Sequence, residues 1–83
     1  MSKYVLYGFP SCPYCRKVYR FMEKSGIHIP QKNTDDPGIW EELASIGGME
    51  QVPCLVIDGK ALYESDDIIA YMREHMLPGK SDS

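Results

Sequence analysis

Cys12-Pro13-Tyr14-Cys15 stands directly after a short apolar run, Tyr4-Val5-Leu6-Tyr7, and directly before a helical pattern. A strand that passes through a tight loop (Gly8-Phe9-Pro10-Ser11) into a helix is the first half of a βαβ unit. The two strands of such a unit run parallel through a right-handed crossover. Pro13 suits the first helical turn, where a missing N–H costs nothing. Cys15, Val18, Tyr19 and Met22 follow with the i, i+3, i+4, i+7 spacing of an apolar stripe, and Gly26 is placed to close the helix. The same junction has a chemical consequence. Unpaired N–H groups opening a helix favour thiolate over thiol, which makes Cys12 the expected nucleophile. Cys15 lies one turn on, within reach of a mixed disulfide formed at Cys12.

The remaining pattern completes the topology. Residues 27–31 predict a short second strand. Asp36-Pro37 predicts a capped helix start, and Ile39, Trp40, Leu43 and Ile46 an apolar face ending at Gly47-Gly48. A third strand is expected over residues 52–57, a two-residue hairpin turn at Asp58-Gly59 and a fourth strand over residues 60–63. Ser65 is the expected N-cap of a last helix, with Asp66 and Asp67 in its first turn and Ile68, Ile69, Met72 and Met76 buried. Residues 77–83 read as a frayed polar tail. The order β-α-β-α-β-β-α predicts an α/β fold, a four-stranded mixed sheet with helices on both faces, in one domain over residues 1–83.

Size and charge narrow the function. A chain of 83 residues supports one modest core. Three cysteines, two of them three apart, do not make the framework of a disulfide-stapled secreted domain. Met1-Ser2-Lys3-Tyr4 leads straight into a strand, and no apolar run is long enough to span a bilayer, so a cytoplasmic location without a membrane partner is expected. A formal charge of −3 lacks the basic excess of a nucleic-acid binder. The charge is uneven: Arg16, Lys17, Arg20 and Lys24 follow the cysteine pair, while Glu64, Asp66 and Asp67 cluster late. The basic group reads as a solvated helix face, in which Arg16 and Lys17 also add positive potential beside Cys12. Structural zinc needs four ligands, and beyond the pair the chain offers Cys54, His28 and His75, so no metal site is expected. Cys54 is expected to be a buried small hydrophobe, both histidines solvent-facing, and Trp40 and the five methionines core.

Three landmarks, in order over residues 3–76, resemble one family. Cys12-Pro13-Tyr14-Cys15 resembles the active-site tetrad of dithiol glutaredoxins. Gln51-Val52-Pro53 is similar to the Thr-Val-Pro at which that superfamily has a cis-proline facing the cysteines. Ser65-Asp66-Asp67 is similar to the Cys-Asp-Asp of many bacterial glutaredoxins, and with Glu64 it resembles the glutathione site in the N-terminal domains of glutathione transferases. The resemblance implies a thioredoxin-like fold and a monomeric, glutathione-dependent thiol–disulfide oxidoreductase acting on protein disulfides and protein–glutathione mixed disulfides. Glutathione would be a co-substrate, with no permanently bound cofactor. Cys12 would attack and Cys15 resolve, while Tyr14 walls the groove. The Val52 backbone, ahead of Pro53, would pair with the glutathione cysteine. The N–H groups at Ser65 and Asp66 would take the γ-glutamyl carboxylate, and Asp66 or Glu64 its ammonium. Two positions depart from the pattern. Phe9 stands where many glutaredoxins have a lysine thought to help hold the glycyl carboxylate, which leaves Gln51 as a candidate for that group, and Gln51 itself replaces threonine. The departures leave open a glutaredoxin-like carrier reduced by thioredoxin reductase. Two alternatives of other classes are an iron–sulfur module sharing a cluster between two subunits, which Cys-Pro-Tyr-Cys argues against, and a stand-alone glutathione-binding domain related to transferases, which a cysteine rather than a serine or tyrosine at the catalytic position argues against.

Overall fold

The computed structural model describes residues 3–77. Its elements are β1 (Tyr4–Gly8), α1 (Pro13–Ser25), β2 (Gln31–Asn33), α2 (Ile39–Gly47), β3 (Cys54–Ile57), β4 (Lys60–Tyr63) and α3 (Ser65–His75). The sheet order is β2-β1-β3-β4, with β1 parallel to β2 and antiparallel to β3, and β3 antiparallel to β4. This is the mixed four-stranded sheet of the thioredoxin-like architecture that the element order predicts.

The period-2 alternation of the central strands divides the core between the two faces. Leu6 and Leu55 are cross-strand partners, and with Val18, Met22, Ile68 and Met72 they bury the face covered by α1 and α3. Tyr7 and Cys54, the next pair, point the other way and pack with Val56 and Leu43 under α2. Helices therefore cover both faces, as expected, and Cys54 is a fully buried member of the second core. The Tyr7 hydroxyl donates to Glu42, and Lys32 pairs with the same carboxylate at 2.5 Å. That contact ties β1, β2 and α2 together and holds the Glu42 carboxyl below the usual carboxylate range, chiefly through the hydrogen bond from Lys32.

Several boundaries differ from those predicted. The second strand is Gln31–Asn33 rather than 27–31. Pro30 has no N–H to donate, so its carbonyl receives the Leu6 amide and the ladder runs onward from there. Ile27 is buried, and Ile29 packs against the α1–α3 core, without belonging to a strand. Asp36 does not cap α2. Asn33 organises a turn by accepting the Asp35 amide on its side chain, and Gly38, in the left-handed region at φ 81°, becomes the N-cap instead. Ile46 and Met49 are exposed, at 36% and 46%, so the α2 face is Ile39, Trp40 and Leu43, and not every methionine is core. The third strand starts at Cys54, the first of its residues to pair with β1, and the cis Val52-Pro53 peptide precedes it. Glu64, not Ser65, is the N-cap of α3; it sits at φ 75° with its carbonyl taking the Ile68 amide. Of the tail read over residues 77–83, positions 78–83 lie outside the described residues.

Three further expectations match, whereas Met76, expected in the buried stripe of α3, is its half-buried C-cap. Gly26 closes α1 at φ 73° with its N–H on the Met22 carbonyl. Asp58 and Gly59, both at positive φ, form the hairpin turn between β3 and β4. His28 and His75 are exposed. Among the described residues, no helix is long and apolar enough to cross a membrane.

Candidate active site

Cys12 is the N-cap of α1, in extended backbone (φ −81°, ψ 122°), with its carbonyl accepting the Arg16 amide at 2.9 Å. It keeps 8% of its surface exposed, whereas Cys15, on the first turn, is fully buried. Both cysteines are buried, Cys15 completely and Cys12 with this small remnant of exposed surface. Burial pushes the Cys15 thiol up to about 12, and contact with Cys12 adds to the rise against an opposing backbone hydrogen bond from Phe9. Cys15 is held as a neutral thiol at ordinary pH.

The space around Cys15 is set by a glycine. An ideal Cβ on Gly8 would lie 2.8 Å from Cys15 Sγ and 2.6 Å from the Tyr19 hydroxyl, well inside van der Waals contact. β1 can pass this close to α1 only with no side chain at position 8. Tyr19, assigned by periodicity to the apolar stripe, thus brings a polar group beside the buried thiol. Burial, then the nearby Cys15 and Cys12, push its hydroxyl up to about 12, so it is present as a donor.

A cleft of about 240 Å³ opens beside the cysteine pair, lined by Tyr14, Lys17, Gln51, Val52, Pro53, Glu64, Ser65 and Asp66. All six non-cysteine residues expected to form the site are on its walls: Tyr14, Gln51, Val52, Pro53, Ser65 and Asp66. They come from three separate stretches of chain. Tyr14 is 65% exposed at the mouth. Pro53 is buried, in the cis form that the resemblance implies. Ser65 and Asp66, the first two residues of α3, line the cleft. Neither cysteine sulfur lines the cleft. Cys12 immediately precedes the Pro13-Tyr14 edge. Ser65, buried at 8% exposure, is the first residue of α3 with Glu64 as the N-cap, so its predicted role as the helix cap does not hold. Lys17 lines the cleft and is ion-paired with Asp66, a contact that only packing of α1 against α3 creates. Glu64, at its positive φ, is the other wall residue with a carboxylate.

The chain matches the family model of the glutathione S-transferase N-terminal domain over residues 6–77. This chain is a glutaredoxin-like, thioredoxin-fold member of that family. It is 31% identical over 58 residues to the glutaredoxin-like 8.6 kDa protein of the rubredoxin operon in Clostridium pasteurianum, an alignment covering 69% of this chain and 77% of that one. A glutathione transferase homologue from Drosophila mojavensis, solved with bound glutathione, superposes with a TM-score of 0.76 at 25% identity. It matches 99% of this chain, which spans only 38% of that transferase. The glutaredoxin of Archaeoglobus fulgidus, at 23% identity and a TM-score of 0.68, shares the fold over 88% of both chains. Among the described residues, no group of three or more His, Cys, Asp or Glu side chains is placed to hold a metal ion.

Proposed function

We propose that this glutaredoxin-like chain is a glutathione-dependent thiol–disulfide oxidoreductase working through Cys12. The observation that carries this reading is the cleft lined by Tyr14, Gln51, Val52, Pro53, Ser65 and Asp66 directly beside the cysteine pair. Its parts suit γ-glutamyl-cysteinyl-glycine. The Val52 backbone, turned out of the ladder ahead of β3, offers strand-like pairing to the central cysteine of the tripeptide. The N–H groups opening the eleven-residue α3 suit the γ-glutamyl carboxylate, and the Asp66 and Glu64 carboxylates its ammonium. Glutathione bound to a transferase homologue of the same fold supports the ligand class.

In the reaction, the Cys12 thiolate attacks the glutathione sulfur of a protein–glutathione disulfide. A Cys12–glutathione disulfide forms, and the substrate thiolate leaves and takes up a proton. The thiolate of a second glutathione then attacks the glutathione sulfur of that intermediate, releasing oxidised glutathione and returning Cys12 as thiolate. One disulfide is consumed and one is formed. Cys15, buried and held neutral, is a poor competitor for the intermediate, which favours the route resolved by glutathione. Turnover of a glutathionylated peptide by wild type, Cys12→Ser and Cys15→Ser tests the roles. Cys12→Ser is expected to be inactive and Cys15→Ser to keep most of the rate. Turnover surviving in Cys12→Ser overturns the reading.

A second reading has its own support. A relative belongs to a rubredoxin operon, and Phe9 and Gln51 depart from the usual glycyl-carboxylate residues. Both favour a carrier whose Cys12–Cys15 disulfide is reduced by thioredoxin reductase. Comparing reduction by glutathione with reduction by that reductase and NADPH separates the two donors.

A further inference from the structure

A groove of about 640 Å³ runs between α1 and α3, with Phe21 and Ile69 among its lining and Pro13 and Asp66 at the end beside the active site. Arg16, Lys17, Arg20 and Lys24 line it from α1. Arg73 reaches in from α3, its guanidinium carbon 5.5 Å from the centre of the Phe21 ring. Five of the nine Lys and Arg residues therefore line one groove, with Asp66 as the one acid among its lining residues. The groove lining has a formal charge of +4 and the remaining sequence −7, so basic charge is concentrated in the groove although the net charge is −3.

That concentration is unfavourable in the free protein. Arg16, Arg20 and Lys24 recur at i, i+4 and i+8, the spacing that stacks side chains in one row, and like charges so placed destabilise a helix. A negatively charged occupant would relieve the repulsion. The row spans about 12 Å of helix, about four residues of extended chain. In an extended segment, alternate side chains face opposite ways. Acidic groups can then meet the basic rims while an apolar side chain rests on Phe21 and Ile69. The rest of the chain carries a net negative charge, which disfavours a long polyanion and favours a short acidic segment of a protein.

We propose that the groove is the docking site for an acidic, extended segment of the protein substrate, flanking the disulfide or glutathionylated cysteine presented to Cys12. The groove ends at Pro13 and Asp66, so the reactive cysteine of the substrate would lie at that end of the segment. This deepens the oxidoreductase reading and rests on it for the identity of the substrate, but the docking itself is tested by binding alone.

The probe is a fluorescent, cysteine-free peptide of about eight residues alternating Glu or Asp with Leu, compared with its Gln and Asn counterpart by anisotropy. The acidic peptide is expected to bind at least about tenfold more tightly, and to lose that advantage between about 20 and 200 mM salt. Arg20→Glu with Lys24→Glu, both outside the cleft, should abolish the preference. Arg20→Gln with Lys24→Gln, its fold checked by circular dichroism, should weaken it. Equal binding of the two peptides, or binding indifferent to both double variants, overturns the proposal. So does size-exclusion showing that a second copy occupies the groove and that the charge-reversed variant releases it. A kinetic arm uses the same peptides carrying a glutathionylated cysteine, beside the mixed disulfide of glutathione and 2-mercaptoethanol. Charge reversal should lower kcat/KM about tenfold for the acidic peptide and leave the small disulfide unchanged. Peptide binding without turnover of any disulfide refutes the oxidoreductase reading while supporting the groove. Turnover without a charge preference does the reverse.

Discussion

Replacing Gly8 by alanine tests how closely β1 is fitted to the redox pair. No positive φ is involved at this position, so chain entropy alone favours alanine by about 0.4–1 kcal/mol. The packing argues the other way. The new Cβ would stand 2.6 Å from the Tyr19 hydroxyl and 2.8 Å from Cys15 Sγ, about 1 Å inside a normal contact of 3.5–4.0 Å. Cys15 is fully buried on the first turn of α1 and has nowhere to retreat, so the strain falls on the helix start and on the Tyr19 ring. Overpacking of this kind costs about 1–3 kcal/mol, which exceeds the entropic gain and leaves Gly8→Ala destabilised by about 1–2 kcal/mol. In a domain of this size the melting temperature should fall by about 5–15 °C. Urea unfolding under reducing conditions measures the difference, with an unchanged m-value as the check that the unfolded state is the same. The double variant Gly8→Ala/Tyr19→Phe removes the nearer of the two atoms and should recover about half of the loss relative to Tyr19→Phe alone. Alkylation of Cys15 should also quicken in Gly8→Ala as its thiol is pushed from its slot. An alanine variant as stable as wild type, or more so, refutes the packing argument.

Two further outcomes follow from the same structure. Burial holds the Cys15 and Cys54 thiols neutral to about 12 and about 11, whereas in the unfolded chain they ionise near 8.5. The folded state therefore keeps protons that the unfolded state loses. Stability is fully present below about pH 8.5 and falls as pH rises towards 11, by up to about 1.4 kcal/mol per pH unit for each thiol; Cys54→Ala should show roughly half the slope of wild type between about pH 9 and 10, and a flat profile there contradicts the burial. Gly47→Ala, near the end of a helix, should stabilise by propensity by up to about 1 kcal/mol, yet its Cβ would meet the Tyr63 hydroxyl at 2.0 Å and Ala61 Cβ at 2.7 Å. A net loss of about 1–3 kcal/mol in thermal melts is expected, and a rise in melting temperature counts against it.

How much of this was legible in the sequence depended on the range of the interactions involved. α1 was readable at both ends because Pro13 and Gly26 encode its boundaries locally, and Asp58-Gly59 encodes a hairpin by its positive φ angles alone. Apolar content places the second strand at Ile27 and Ile29, whereas the ladder begins where the Leu6 amide meets the Pro30 carbonyl and Leu6 pairs with Gln31. Asp36 looked like a helix cap, but Gly38 two residues later offered the left-handed turn that the chain uses. The cleft was foreseen only through resemblance, since Tyr14, Gln51 to Pro53 and Ser65 to Asp66 are far apart along the chain. In the sequence Lys17 reads only as part of a basic helix face, not as a cleft residue. Nothing local marks it, because its partner Asp66 lies on another helix. Gly8 likewise reads as an ordinary loop glycine until Cys15 and Tyr19 are seen against it.

The Lys17–Asp66 pair stands at the seam between cleft and groove, lining both. Its side chains are 53% and 81% exposed, so water and salt screen it and it adds little to folding. That weakness suits a pair whose members both have better partners in a ternary complex. An ammonium arriving in the cleft would draw off the Asp66 carboxylate, and Lys17, released from it, would present its charge to the groove. Glutathione occupancy would then raise the positive potential that meets an acidic segment, and an acidic segment on Lys17 would free Asp66 for the ammonium. The two sites would favour each other through a contact that is cheap to break. Stabilising that contact in the free protein, rather than removing it, is the change that should weaken binding at both.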